Sequence, residues 1–120
     1  VYPEPAGADK DVKPTLVIGA PGATRIITSI AQVILNVLEF GMSISDAVHA
    51  PRFDCEGDLI KCQARIPEYV CAAVRARHPI ARLPQSHRGL ALVHAITIDP
   101  STGKLAGGAD TGSGGMALEV

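Results

Sequence analysis

Aromatic residues are scarce in this 120-residue sequence, at 3% of the total, and tryptophan is absent. Proteins that stack single-stranded nucleic acid need such rings, and a formal net charge of −1 gives no strong field to attract phosphate groups or an anionic membrane. We therefore expect neither nucleic acid nor a membrane as partner. With 47% hydrophobic residues, the chain suits one compact domain whose core consists of Ile, Val, Leu and Ala, as in sheets covered by helices.

Long apolar runs are also missing. No run reaches the length that spans a bilayer, and the N-terminal stretch VYPEPAGADKDVKP lacks the basic-then-apolar layout of a secretion signal. If the protein is exported, its signal lies upstream of Val1. The sequence therefore leaves the localisation open between the cytoplasm and export.

The three cysteines are too few, and wrongly spaced, for a metal site. Cys55, Cys62 and Cys71 are seven and nine residues apart, which matches no zinc pattern. We expect Cys62 and Cys71 to be buried thiols that act as small apolar groups, and Cys55 to be a loop thiol. No metal and no cofactor is predicted.

The strongest structural signal lies between Thr15 and Gly41. The apolar run from Leu16 to Ile18 ends in Gly-Ala-Pro-Gly, which predicts a buried strand that leads into a turn. A long helix is predicted next, with Thr24 as its N-cap and Gly41 as the left-handed residue after its end. Its polar positions form a narrow stripe, so we expect the helix to be covered on most sides. The stripe consists of Arg25, Ser29, Gln32, Asn36 and Glu39.

Gly22 and Ala23 lie where the turn meets the helix. The first N–H groups of a helix have no partner within it and lie at the positive end of its dipole, so these two residues are candidates for binding an anion. The alternative is that Pro21-Gly22 only connects strand to helix. The spacing favours that plainer interpretation, because the stretch matches neither GxGxxG nor GxxxxGK[ST].

Weaker signals organise the rest of the chain. Ser43 with Asp46 predicts the start of a short helix that ends before Pro51, which leaves Arg52 on a tight loop. Alternation over residues 58–65 predicts a strand with Cys62 facing inwards and Gln63 outwards. Pro67 is predicted to open a helix, and residues 80–89 a loop that contains His87. The inner face of that helix is expected to be Val70, Ala73 and Val74.

The C-terminal part reads as a hairpin followed by a tail. A strand from Leu90 to Asp99, with His94 on one face, precedes a Pro-Ser-Thr-Gly turn and a return strand from Lys104 to Ala109. We divide the chain into an extended lead-in over 1–14, a domain over 15–110 and a flexible Gly-rich tail over 111–120.

The stretch GAPGATRIITSIAQVILNVLEFGMSISDAVHAPRF resembles the small subunit of the gamma-glutamyltransferases (gamma-glutamyltranspeptidases). In that family a Gly-Ser-Pro-Gly-Gly-Ser-Arg-Ile-type turn leads into a helix, a second short helix and Ala-Pro-Arg. The segment HRGLALVHAITIDPSTGKLAGGAD is similar to the closing hairpin of the same family. The resemblance implies an α/β fold, namely part of the four-layer αββα sandwich of the N-terminal-nucleophile hydrolases, with antiparallel sheets and covering helices.

The resemblance also implies a chemistry, which is acyl transfer by an N-terminal threonine. It assigns the oxyanion hole to the N–H groups of Gly22 and Ala23, and structural support to Arg25, Arg52 and Asp110. Arg25 is expected to brace the turn through backbone carbonyls or Asp110. The implied substrate is a gamma-glutamyl compound such as glutathione, or a related small molecule. No substrate-binding residue is identified, because Val1 to Pro5 replace the paired serines that bind the substrate carboxylate in the family.

The family's threonine would lie upstream of Val1, so we expect this chain alone to be inactive. Its expected partners are the large subunit, the upstream part of the small subunit, or a second copy that docks on the helix from Arg25 to Phe40. Two alternatives stay open. The chain is then either a non-catalytic family remnant that acts as a structural or assembly module, or part of a related acylase with another acyl substrate.

Overall fold

A computed structural model describes residues 15–84 and 89–117. The predicted lead-in, its Val1 to Pro5 segment, His87 and the last three residues of the tail lie outside the described residues. The described part is a mixed α/β structure with antiparallel pairing and helices packed on the sheets, as the sequence and the family resemblance predicted.

Nine regular elements follow one another in the described residues, with a 3-10 helix near each end. They are β1 (Leu16–Gly19), a 3-10 helix (Ala23–Arg25), α1 (Ile26–Leu38), α2 (Ile44–His49), β2 (Phe53–Cys55), β3 (Ile60–Cys62), α3 (Glu68–Arg75), β4 (Ile80–Arg82), β5 (His94–Ile98), β6 (Leu105–Ala109) and a second 3-10 helix (Thr111–Ser113).

Sheet A has the strand order β1-β5-β6, and both of its pairings are antiparallel. Helices α1 and α2 cover one of its faces, and Leu16, Val33, Val48 and Val93 are among the buried residues between them. Helix α2 approaches β6 so closely that a Cβ at Gly108 would lie 2.7 Å from the carbonyl oxygen of Ile44. A glycine is therefore required where α2 crosses the sheet.

The predicted β5–β6 hairpin is confirmed, and its turn is held by Asp99. The Asp99 carboxylate accepts hydrogen bonds from the N–H and hydroxyl of Ser101, at 2.8 and 2.6 Å, and from the N–H of Thr102 at 3.2 Å. These bonds, led by that from the Ser101 hydroxyl, lower the pKa of the Asp99 carboxyl to about 2. The turn therefore keeps its ionised acceptor at any pH above that value.

Sheet B has the strand order β2-β3-β4, with β2–β3 antiparallel and β3–β4 parallel. Helix α3 is the crossover between the two parallel strands. Strand β4 was not predicted, because residues 80–89 had been assigned to a loop; three residues beside Pro79 and Pro84 are too few to give a clear alternation.

Two predicted orientations around sheet B are wrong. Gln63 is 1% exposed instead of facing outwards, because its side-chain oxygen accepts the Arg52 N–H at 3.0 Å and its own N–H donates to the Arg52 carbonyl. The buried residue of α3 is Cys71, while Val70 is 37% exposed. The helix therefore packs through a face rotated away from the predicted one, and Cys71 lies against Cys62 of β3 with their Sγ atoms 3.5 Å apart.

The helix boundaries follow the sequence with one exception. Ser43 caps α2 by accepting the N–H of Asp46 at 3.1 Å, and Gly41 adopts the predicted left-handed conformation with φ 64°. Thr24 is not the N-cap of α1: Arg25 occupies that position without a side-chain cap. The hydroxyl of Thr24 donates instead to the carboxylate of Glu56.

The polar stripe of α1 faces the protein and its apolar side faces outwards. Ser29 is fully buried, and the Gln32 side chain pairs with the backbone of Phe53 at 2.7 and 3.1 Å. On the opposite side Ile27 is 76% exposed and Leu38 is 53% exposed. The described residues therefore leave uncovered the side of the helix that the sequence predicted to be covered.

Candidate functional site

The turn between β1 and α1 has an unusual backbone. Gly22 has φ 150° and ψ 18°, and Ala23 has φ 52°, the only positive φ of a non-glycine residue among those described. A Cβ at Gly22 would lie 2.5 Å from the Cβ of Ala91, so this position accepts only glycine. Ala23 pays about 1–2 kcal/mol for its left-handed conformation, and such strain is typical of functional sites.

The N–H groups of Gly22 and Ala23 are open. Both residues are exposed, and neither N–H donates a hydrogen bond to any part of the chain that the structure describes. They precede the 3-10 helix and α1, at the positive end of the helix dipole. Two adjacent donors without a protein acceptor are suited to hold one anionic oxygen.

A second segment, residues 89–93, lies beside the turn and holds it in place. The Leu92 N–H donates to the Pro21 carbonyl at 3.2 Å, and the Arg25 Nη1 donates to the Gly89 carbonyl at 3.0 Å. Arg25 thus bonds a backbone carbonyl, one of the two partners expected for it. The other expected partner, Asp110, is bonded by a different arginine.

Arg52 and Asp110 form a buried ion pair behind that segment. The Arg52 Nη2 lies 2.5 Å from Asp110 Oδ2, and the two side chains are 1% and 6% exposed. Arg52 also donates to the carbonyls of Val48, at 2.5 Å, and Ala91, at 3.2 Å. The pair therefore joins α2, the start of β2 and the end of β6 to the residue against which Gly22 rests.

The side chain of Asp110 has a second role at the start of the tail. Its Oδ1 accepts the N–H of Gly112 at 2.9 Å and caps the 3-10 helix Thr111–Ser113, while its own N–H donates to the Val93 carbonyl at 2.9 Å. Both carboxylate oxygens of Asp110 are thus bonded, which a buried carboxylate needs if it is to stay charged.

Sequence reasoning missed two acidic residues near the turn. Glu56 accepts the Thr24 hydroxyl and lies 3.3 Å from the Arg25 Nε. Asp54 is 1% exposed and accepts the Thr28 hydroxyl at 2.5 Å. Both follow Ala-Pro-Arg in a short strand and loop, and no local pattern shows that this loop returns to the start of α1.

The remaining titratable groups give no sign of a metal or redox centre. In residues 15–84 and 89–117, no three His, Cys, Asp or Glu side chains are grouped to hold a metal ion. Cys62 and Cys71 are buried thiols, as predicted, and Cys55 is exposed. Burial, with a contribution from Cys71, raises the pKa of the Cys62 thiol to about 11, which keeps it protonated and unreactive at neutral pH. No helix in the same ranges is long and apolar enough to cross a membrane.

Comparisons with known proteins point to one family. The family model described as Gamma-glutamyltranspeptidase matches residues 5–120. The Acylase ACY 1 proenzyme of Pseudomonas sp. (strain V22) is 38% identical over 106 residues, which are 88% of this chain and 18% of that protein. The Glutathione hydrolase proenzyme of Bacillus subtilis (strain 168) is 31% identical over 113 residues, which are 92% of this chain and 19% of that protein.

A solved structure agrees with these relatives. The crystal structure of an acivicin-inhibited gamma-glutamyltranspeptidase superposes with a TM-score of 0.72 at 30% identity, over 95% of this chain and 62% of that one. This chain therefore spans less than a fifth of the two curated relatives, both of which are named as proenzymes, and corresponds to one part of such larger proteins.

The buried pair makes a prediction about stability. Arg52→Met keeps much of the side-chain volume but leaves the Asp110 carboxylate buried without its partner, so we expect the free energy of unfolding to fall by about 3–5 kcal/mol. Adding Asp110→Asn should recover part of that loss, because the unpaired charge is then removed. Urea denaturation measures both changes.

Arg75→Met is the matched control. It breaks an ion pair with Glu68 whose side chains are 49% and 56% exposed, and we expect it to cost less than about 1 kcal/mol. Equal losses for Arg52→Met and Arg75→Met would contradict the importance assigned to the buried pair.

Proposed function

The chain belongs to the gamma-glutamyltranspeptidase family, and from this premise we propose that it supplies the oxyanion hole and part of the core of an acyl-transfer enzyme. The observation that carries the proposal is the turn at Gly22 and Ala23, where two exposed N–H groups have no acceptor in the described part of the chain. When a nucleophile attacks an amide carbonyl, negative charge develops on the carbonyl oxygen. Preorganised donors about 3 Å from that oxygen stabilise the transition state.

The nucleophile is assigned to sequence upstream of Val1. The family resemblance implies a threonine that is freed at its own N-terminus by self-cleavage, attacks through its hydroxyl and uses its own amine as the base. The acyl group is then passed to water or to an amino acid. On this proposal residues 1–120 alone release no amine from a gamma-glutamyl amide, because they hold the donors but not the attacking group.

The acyl substrate is proposed as a gamma-glutamyl group, with a related acyl group as the second candidate. A relative named as a glutathione hydrolase supports the first. The second is favoured by the 38% identity to a protein named as an acylase and by Val1 to Pro5, which carry no serine pair for an α-carboxylate. Rates on a gamma-glutamyl anilide and on an acyl anilide without the α-carboxylate separate the two.

A third candidate, a non-catalytic module, is supported by Ala23. This residue stands where the family turn has a glycine, and it keeps the left-handed backbone despite its Cβ. A remnant under no catalytic constraint has no reason to maintain this strain, since relaxing the turn would stabilise it. The retained geometry therefore favours the catalytic proposals over this one.

Two uncovered apolar faces support a role inside a larger assembly. The outer side of α1 exposes Ile27 and Leu38, and the face of sheet A away from the helices exposes Val17 and Ile96, which lie opposite each other in the β1–β5 pairing. Exposed apolar surface of this kind marks an interface. We assign both faces to other parts of the same enzyme, which would supply the remaining layers of the αββα sandwich.

The oxyanion hole is tested by changing the backbone preference at residue 23 without removing a donor. We expect Ala23→Gly to preserve or raise kcat, because it relieves the positive φ, and Ala23→Val to lower kcat by about tenfold or more, because a β-branched residue resists that conformation. KM should change little, since the interaction forms only in the transition state. Steady-state kinetics of the active enzyme that contains this chain provides the measurement.

Gly103→Ala serves as the control for strain. Gly103 also has a positive φ, at 70°, but lies in the β5–β6 turn with no atom near its Cβ position. This variant should lose stability with kcat unchanged. If Ala23→Val also leaves kcat unchanged while it destabilises the protein, the oxyanion role of the turn is wrong.

The uncovered faces lead to a prediction about assembly. Ile96→Asp and Leu38→Asp each place a charge on one face, so we expect each to weaken association with the remainder of the enzyme by tenfold or more, since burial of such a side chain is worth about 1.5–3 kcal/mol. Tyr69→Asp, at a side chain on α3 that is 77% exposed, is the control. Sedimentation of the co-expressed parts measures association. A homodimer that only Leu38→Asp disrupts would instead favour self-association through α1.

A further inference from the structure

We infer that Glu56 is a positioning residue for the oxyanion turn, an inference that rests on the proposed function of Gly22 and Ala23. Glu56 follows β2 and returns to the start of α1, where its two carboxylate oxygens bond consecutive residues. One oxygen accepts the hydroxyl of Thr24, and the other lies 3.3 Å from the Arg25 Nε. These are the two residues that directly follow the proposed donors.

The same carboxylate is connected to the other side of the turn through Arg25. The guanidinium of Arg25 spans from Glu56 to the carbonyl of Gly89 at 3.0 Å. Gly89 belongs to the segment that includes Ala91, whose Cβ lies against Gly22. Glu56 therefore fixes the direction of the Arg25 side chain, and Arg25 fixes the turn against the segment that supports it.

The turn needs this support because its own sequence favours a different conformation. Threonine before an apolar helix favours the N-cap position, in an extended backbone conformation, whereas Thr24 lies inside a 3-10 helix after a left-handed Ala23. Neither the 3-10 helix nor α1 has a side-chain cap. By accepting the Thr24 hydroxyl, Glu56 removes the group that would stabilise the competing conformation.

Charge is a second reason for the pairing with Arg25. A lone carboxylate near an oxyanion would oppose the developing negative charge, but the Arg25 guanidinium neutralises that of Glu56. The two side chains are 39% and 32% exposed, so the ion pair contributes little to global stability. Loss of Glu56 should then be visible in the geometry and rate of the site rather than in the unfolding midpoint.

Three variants test this role in the enzyme that contains the chain. Glu56→Ala should lower kcat by tenfold or more and change KM by less than threefold. Glu56→Gln should restore most of kcat, because its oxygen can accept from Arg25 while its amide donates to the Thr24 oxygen. Glu68→Ala, which removes an exposed carboxylate that pairs with Arg75 and Arg82 on α3, should leave kcat unchanged.

A readout that does not depend on activity accompanies the kinetics. Hydrogen exchange of a peptide that spans residues 20–28 should accelerate at least threefold in Glu56→Ala and stay near the wild-type rate in Glu56→Gln and Glu68→Ala. Unchanged exchange in Glu56→Ala, or a kcat equal to that of Glu68→Ala, would overturn the inference. If the wild-type enzyme shows no acyl transfer at all, the proposed function fails, and the exchange data alone decide whether Glu56 holds the turn.

Discussion

The buried ion pair between Arg52 and Asp110 is the constraint on which the rest of the site depends. Two charges that are 1% and 6% exposed are stable only while each has its partner, so α2, β2 and β6 must keep their mutual positions. Arg52 also holds the Ala91 carbonyl, and Ala91 contacts Gly22. The backbone of the turn is therefore placed by a rigid pair that lies behind it, while Glu56 and Arg25 hold it at the surface.

The distribution of polar and apolar residues on α1 explains why the chain reads as one part of a larger protein. A helix at the surface of a complete domain turns its apolar side inwards, whereas here Ser29 and Gln32 face sheet B and Ile27 faces out. Gln32 behaves as an edge partner of β2, because its amide pairs with both backbone groups of Phe53. The exposed apolar side, like that of sheet A, fits the sandwich layers that the family relatives contain.

What could be predicted from sequence followed from local rules. The run Leu16 to Ile18, the cap at Ser43 and the turn after Asp99 each carry a signal within a few residues, and the structure confirms them. The misplaced residues depend on contacts with distant segments. Gln63 is buried because Arg52 needs its oxygen, and Thr24 is not a cap because Glu56, 32 residues later, accepts its hydroxyl. The proposed roles of Gly22 and Ala23 came from family resemblance, since spacing alone favoured a simple connecting turn.

The most direct test of the central proposal is a crystal structure of the processed enzyme with a gamma-glutamyl or acyl boronic acid, whose tetrahedral adduct on the nucleophile mimics the reaction intermediate. We expect one boronate oxygen to lie about 3 Å from both the Gly22 and the Ala23 nitrogen atoms, with Ala23 still at positive φ. An adduct whose oxygens bond other groups, while these two N–H groups bond protein carbonyls, would contradict the account.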